Sequence, residues 1–127
     1  MNIETQRIYD TPLTTKAFRV LVDRLWPRGV SKEAAHLDLW LKDLAPTDAL
    51  RKWFGHEPAK WDEFKKRYFR ELAGKRELID QLTHAAKGRK IVLLCGARDI
   101  EHNQAVALKQ YLELAAKGAR EPTGAKA

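Results

Sequence analysis

Only one cysteine, Cys95, occurs among the 127 residues, so no disulfide can close within the chain and the fold must rest on burial alone. Long apolar runs are missing as well. The longest uninterrupted one, Ile91 to Cys95, is far too short to cross a bilayer, and the opening Met-Asn-Ile-Glu-Thr-Gln-Arg carries no apolar signal core. These absences argue against a membrane protein and make the cytoplasm the expected address. There is no internal repeat, no dinucleotide-binding glycine fingerprint and no phosphate-loop motif. The four histidines, His36, His56, His84 and His102, fall in four different elements with no close Cys or His spacing, so the sequence holds no zinc motif and names no cofactor.

What is present suffices for one core. An apolar share of 44%, with four Trp, four Phe and three Tyr, excludes global disorder, and 32% charged residues keep such a core in water. The length suits a single domain, expected over residues 1–116, followed by a small polar tail over 117–127. Lys and Arg number 24 against 17 Asp and Glu, a net charge of +7 that favours anionic partners such as phosphates, nucleotides or nucleic acid. Acids are interleaved in nearly every basic stretch, however, which is also how a solvated mixed-charge surface reads.

Along the chain, Ile3 to Tyr9 alternates loosely and meets the turn signal Asp10-Thr11-Pro12, which predicts a strand. Phe18 to Val22 is nearly continuous in aliphatic and β-branched residues and predicts a strand covered on both faces. Ser31 is a candidate N-cap, after which Leu37, Trp40, Leu41 and Leu44 repeat at helical spacing until Pro46, so one amphipathic helix is expected there. Thr47 caps a second helix carrying Leu50, Trp53 and Phe54, with Gly55 at its left-handed end. Pro58 opens a third, with Trp61, Phe64, Tyr68 and Leu72 as its stripe, and a fourth runs from about Arg76 to Lys87. Lys90 to Cys95 predicts another buried strand, and a final helix is expected from Asp99 or Ile100. Strands separated by helices require crossovers, so the fold class is α/β: a small, mostly parallel sheet flanked by helices, with a large helical insertion between strands.

In open parallel sheets ligands bind outside the carboxyl ends of the strands, so Asp23–Gly29 and Gly96–Asn103 are expected to face one crevice. The first segment holds Arg24 and Arg28 four residues apart with Trp26 between them, and a guanidinium fork matches phosphate or carboxylate. In the second, Gly96 follows a strand directly and Arg98 stands beside the expected helix N-terminus, a ready place for an anion. Asn103 completes the candidate ligand set. The alternative is structural, with Arg24 bridged to Asp23 or Asp99 and Trp26 in the core. Asp23, Asp99 and His102 are the titratable groups within reach and therefore the candidates for acid–base work, although each also suits a cap or loop role. Cys95 sits inside an apolar run, where a thiol is more often inert than nucleophilic.

The runs Val22-Asp-Arg-Leu-Trp-Pro-Arg-Gly-Val-Ser-Lys-Glu33, Leu39-Trp-Leu-Lys-Asp-Leu-Ala-Pro46, Leu50-Arg-Lys-Trp-Phe-Gly-His56 and Ala97-Arg-Asp-Ile-Glu-His-Asn103 stand in order along the chain. With them the chain resembles the YeaO-like proteins of the domain-of-unknown-function family 488, over roughly residues 3 to 115. The resemblance implies a small cytosolic α/β protein and assigns no reaction. The motif residues it carries over are Asp23, Arg24, Trp26, Pro27, Arg28, Gly29, Lys32, Lys42, Trp53, His56, Asp99, His102 and Asn103. It also implies an aromatic residue in many members where Cys95 stands here, and in larger relatives a cysteine-histidine-arginine run near His102-Asn103, departures that weaken any cysteine chemistry.

Three functions compete on these residues. The first is a ligand-binding or catalytic domain for a phosphorylated or carboxylated small molecule, held by Arg24, Arg28 and Arg98. The second is a nucleic-acid-binding module, for which the basic third helix supplies charge. The third is an interaction protein pairing through aromatics such as Trp53 and Phe54.

Overall fold

The computed structural model describes residues 2–10 and 16–116. The tail expected over 117–127 and the turn signal at Thr11-Pro12 lie outside the described residues. Four strands, β1 (Ile3–Arg7), β2 (Phe18–Leu21), β3 (Leu39–Trp40) and β4 (Ile91–Cys95), form one sheet in the order β1-β4-β2-β3, and every pairing is parallel. Ile91 of β4 stands opposite Ile3 on one side and Phe18 on the other. The last strand in sequence is therefore central in space, which is why its five residues are all apolar and all buried.

The strand period of two divides the core. Val20, Val22, Ile91, Leu93 and Cys95 face the larger cluster, built with the helices of the insertion and the last helix. Leu21, Val92 and Leu94 face a smaller one with Ile8, Ala17 and Ala35, closed by Trp26, Val30 and Leu37. After β3 come α2 (Asp48–Phe54), α3 (Trp61–Ala73) and α4 (Arg76–Ala86), then β4, then α5 (Gln104–Ala116). The large helical insertion between strands is thus present. Within it the Thr47 hydroxyl accepts from the Leu50 amide at 3.3 Å, and Gly55 ends α2 at φ +56°, a conformation in which other residues are strained. Phe64, Tyr68 and Leu72 bury the stripe of α3, and burial of a phenylalanine or leucine side chain contributes roughly 1.5–3 kcal/mol. The Tyr68 hydroxyl stays satisfied in the core by donating to the Leu44 carbonyl at 2.6 Å.

One expected element differs. Ser31 does cap a helix, accepting from the Ala34 amide at 3.0 Å, but that helix, α1 (Lys32–Ala35), is a single turn, and the chain then forms β3 and a 3-10 turn over Lys42–Leu44. The reason lies in β2. Arg19, buried in that strand, donates to the carbonyls of Ala35 at 3.0 Å and His36 at 3.1 Å, the groups that would otherwise accept from the next helical turn. His36 takes the left-handed conformation, and Asp38 clamps the strand edge, its carboxylate accepting the Arg19 amide at 2.9 Å and its own amide donating to the Arg19 carbonyl at 2.9 Å. The Leu41 amide then donates to the Leu21 carbonyl at 3.0 Å, so the apolar spacing read as a helix serves an edge strand and a tight turn. Desolvation in this position lowers the Arg19 pKa below its ordinary value, against the raising effect of Asp38.

Candidate functional site

The segments leaving β2 and β4 are brought together at one end of the sheet, and α2 of the insertion closes over them. Between the three lies a cavity of about 650 Å³. From the β2 exit it is lined by Asp23, Arg24, Leu25, Trp26 and Pro27; from the β4 exit by Gly96, Ala97, Arg98, Asp99, His102 and Asn103. Of the candidate ligand-binding and acid–base residues, Arg28 alone is not in the lining. Its side chain is exposed, and its backbone carbonyl accepts from the Tyr9 hydroxyl at 3.1 Å, which fixes the loop after Trp26.

Asp23 is the most perturbed acid of the cavity. Its Oδ2 accepts the Gly96 amide at 2.8 Å and its Oδ1 accepts from the Gln104 side chain, so one carboxylate ties β2, β4 and α5. Burial raises its pKa to about 6, against the opposing effect of those two hydrogen bonds. Gly96 favours that approach, because a Cβ there would stand 3.2 Å from Asp23 Oδ2 and the carboxylate would have to give by a few tenths of an ångström.

The arginines divide by commitment. Arg24 donates from Nε and Nη2 to the Pro46 carbonyl at 3.4 and 3.3 Å, and from Nη2 to the Ala45 carbonyl at 3.2 Å. It lies 3.8 Å from Asp43 and 3.9 Å from Asp48. The bridge envisaged to Asp23 or Asp99 is therefore made to the insertion instead, and Arg24 fastens the start of α2 onto the β2 exit. Lys75 reinforces the same corner, donating to the carbonyls of Asp43 at 2.6 Å and Ala45 at 3.3 Å. Arg51 pairs with Asp48 at 3.3 Å. The Arg98 guanidinium has no hydrogen bond or ion pair among the described residues and is exposed at the cavity rim.

The β4 exit is not a strand–glycine–helix turn. α5 begins at Gln104 rather than near Asp99, because Asn103 takes the cap: its carbonyl accepts from Ala107 at 3.2 Å and its Oδ1 from Val106 at 3.0 Å. Asp99 instead organises the loop before the helix. Its Oδ1 accepts the amides of Glu101 and His102 at 2.9 and 3.0 Å, and its Oδ2 lies 2.9 Å from His102 Nδ1. The Glu101 amide first, then the His102 side chain, hold the Asp99 carboxyl below its ordinary range. A carboxylate can only accept, so it fixes Nδ1 as the donor and leaves Nε2 as the other functional nitrogen of a ring seated edge-on to Trp61 at 5.4 Å.

Trp26 donates to the Val30 carbonyl at 2.6 Å and meets Trp40 edge-on at 5.3 Å, so it is partly core and partly wall. Cys95 is buried directly behind the site, and burial pushes its thiol up to about 12, the Ala97 amide opposing. Among the described residues no three His, Cys, Asp or Glu side chains gather as a metal site, and no helix is long and apolar enough to cross a membrane. Tyr68 is fully buried and Trp61 packs on Phe64 at 5.6 Å, so the aromatics of the basic helix α3 turn into the core.

Reasoning from strand ends alone missed the wall supplied by the insertion: Arg51, Phe54, His56 and Phe64, with Gln104 from α5 and Tyr9 from beyond β1. A signal was present for some of these, since the run Leu50 to His56 is one of those carrying the family resemblance.

The comparisons with known proteins agree with that resemblance. The family model described as the inactive DUF488-N3 subclade matches residues 2–126. The chain is 38% identical over 112 residues to the uncharacterized protein YeaO of Escherichia coli (strain K12), covering 88% of this chain and 97% of that one. It is 34% identical over 111 residues to the uncharacterized protein Rv3073c of Mycobacterium tuberculosis (strain ATCC 25618 / H37Rv), covering 87% and 92%. No solved structure matches it. The chain thus belongs to the domain-of-unknown-function family 488, within the branch described as the inactive DUF488-N3 subclade.

Proposed function

We propose that this protein binds a small anionic molecule, a phosphate or carboxylate, in the cavity at the carboxyl ends of β2 and β4, and holds it without turnover. The observation that carries this reading is Arg98: an exposed guanidinium on the rim of a 650 Å³ cavity, with no partner among the described residues. Ligand cavities of roughly 300–1,000 Å³ are the common range, and a guanidinium fork is the group best matched to such anions. Arg24 from the β2 exit and Arg51 from the insertion add positive charge, although both are already paired. Binding without chemistry agrees with the word inactive in the subclade's description and with a Cys95 thiol that stays protonated. On this reading Asp23, Asp99 and His102 orient the ligand, and the single cysteine suits a cytoplasmic protein.

The test is a thermal-shift comparison of wild type and Arg98→Ala against small phosphates and carboxylates at matched ionic strength. An anion present at 100 times its Kd stabilises the wild type by about 2.7 kcal/mol, and Arg98→Ala loses that response while melting normally without ligand. The reading is wrong if no anion shifts the wild type, or if the variant responds equally.

A further inference from the structure

Charge alone leaves most of the cavity unexplained. Six rings line it: Tyr9, Trp26, Phe54, His56, Phe64 and His102. Phe54 and Phe64 are themselves stacked, with centroids 4.4 Å apart and planes 24° apart, and they form an apolar wall on the insertion side. A phosphate or acetate ion fills little of 650 Å³ and accounts for little of its ring lining. The polar wall is equally particular. Asp23 is an acceptor without protons of its own when ionised, and its two oxygens take one hydrogen bond each, from Gly96 and Gln104. A carboxylate has about four lone-pair positions, so two acceptor positions stay open for a donor arriving from the cavity.

We propose that the ligand is a planar, N–H-bearing ring that carries the anionic group: the ring lies against the aromatic wall, its N–H donates to Asp23, and its phosphate or carboxylate meets Arg98. This rests on the reading above and adds the class of molecule. Planar rings gain from contact with aromatic side chains through both buried area and ring–ring geometry. A site with a fixed acceptor discriminates against a ring whose N–H is blocked, because the methyl group then meets the open acceptor positions and desolvates them without offering a donor. Two sources share this chemistry: nucleoside monophosphates, and indole or aminoaryl carboxylates.

Isothermal titration with paired probes tests it. Guanosine 5′-monophosphate is compared with ribose 5-phosphate and with its N1-methyl derivative; indole-3-acetate is compared with acetate and with 1-methylindole-3-acetate. We expect one of the two ring anions to bind roughly tenfold or more tighter than its ringless counterpart, and N-methylation to remove most of that gain. Whichever pair responds identifies the source. Arg98→Ala abolishes binding of the responding probe, and Asp23→Asn narrows the gap between the N–H and N-methyl forms. If ring and ringless anions bind equally, and Arg98→Ala still weakens both, the ring assignment fails while anion binding stands. If a ring is preferred but its methylated form binds as well, the contact to Asp23 is refuted. If no probe binds and no anion shifts the melting temperature, both readings fall.

Discussion

Asp23 occupies a costly position, and converting it to asparagine measures that cost without emptying the site. In the native protein burial holds its pKa near 6, whereas the same carboxyl in the unfolded chain titrates near 3.8. Between those values the native state keeps a proton that the unfolded state has released, so stability falls as pH rises through this window. The separation is about two pKa units, and at 1.36 kcal/mol per unit the charged form costs the fold about 3 kcal/mol above pH 6. Asparagine keeps an oxygen for the Gly96 amide, and Gln104 can turn its amide to present oxygen to the new NH₂ group, so both hydrogen bonds survive in neutral form. The assay is urea denaturation of wild type and Asp23→Asn from pH 4 to pH 8, read as the difference in unfolding free energy at each pH. Taking the difference cancels the other titrating groups, including Asp99 and Glu63, whose lowered pKa values act at more acidic pH. The variant should gain on the wild type by about 2.4 kcal/mol between pH 4 and pH 7, because some of the cost is already present at pH 4; that gain is roughly 10 °C in melting temperature for a domain of this size. A difference curve that stays flat with pH would refute the argument, because it would mean that the carboxylate is solvated in the folded protein.

Two other perturbations separate anchoring from reactivity. Arg24→Ala removes the Arg24 donors from the Pro46 carbonyl and leaves the Ala45 carbonyl with Lys75 alone, and should cost about 2 kcal/mol by urea denaturation; a loss under about 0.5 kcal/mol would mean that Arg24 does not fasten the insertion. With its pKa near 12, Cys95 has a thiolate fraction on the order of 10⁻⁴ at pH 8, so a disulfide reagent should label the native protein negligibly and react fully in urea. Rapid native labelling would show the thiol to be exposed and activated.

How far the site could be read in advance differs from wall to wall. Asp23, Arg24 and Trp26 follow a buried strand, and Gly96 to Asn103 follow another, so the rule that parallel strands present their carboxyl ends to ligands was enough to join two stretches more than seventy residues apart in sequence. The run Leu50 to His56 carries part of the family resemblance, but no spacing marked Arg51, Phe54 or Phe64 as lining the same space. Their positions look like ordinary helix faces, and only the docking of the insertion, through Arg24, Lys75 and the Glu71 carboxylate on Thr47, turns those faces toward the strand ends. The start of α5 was displaced for a related reason: Asp99 and Asn103 are both good caps, and the one that caps the helix is decided by the loop that Asp99 folds around His102.

By itself, then, the sequence determined the class of the fold: two apolar runs too short for a membrane and too continuous for a one-faced sheet, separated by amphipathic helices, require a parallel sheet with crossovers. It also determined that no disulfide closes within the chain, because Cys95 has no partner in it. Tertiary structure decided what periodicity could not. The pattern Leu37, Trp40, Leu41, Leu44 satisfies a helix as an isolated segment, but Arg19 reaches from β2 to take the carbonyls that would have propagated it, and the backbone pairs with the strand instead. The same contrast governs the arginines of the site. Arg24 and Arg98 carry identical charge in the sequence; Arg24 is spent on carbonyls because the insertion packs against it, and Arg98 is left free because none of the described residues pairs with it.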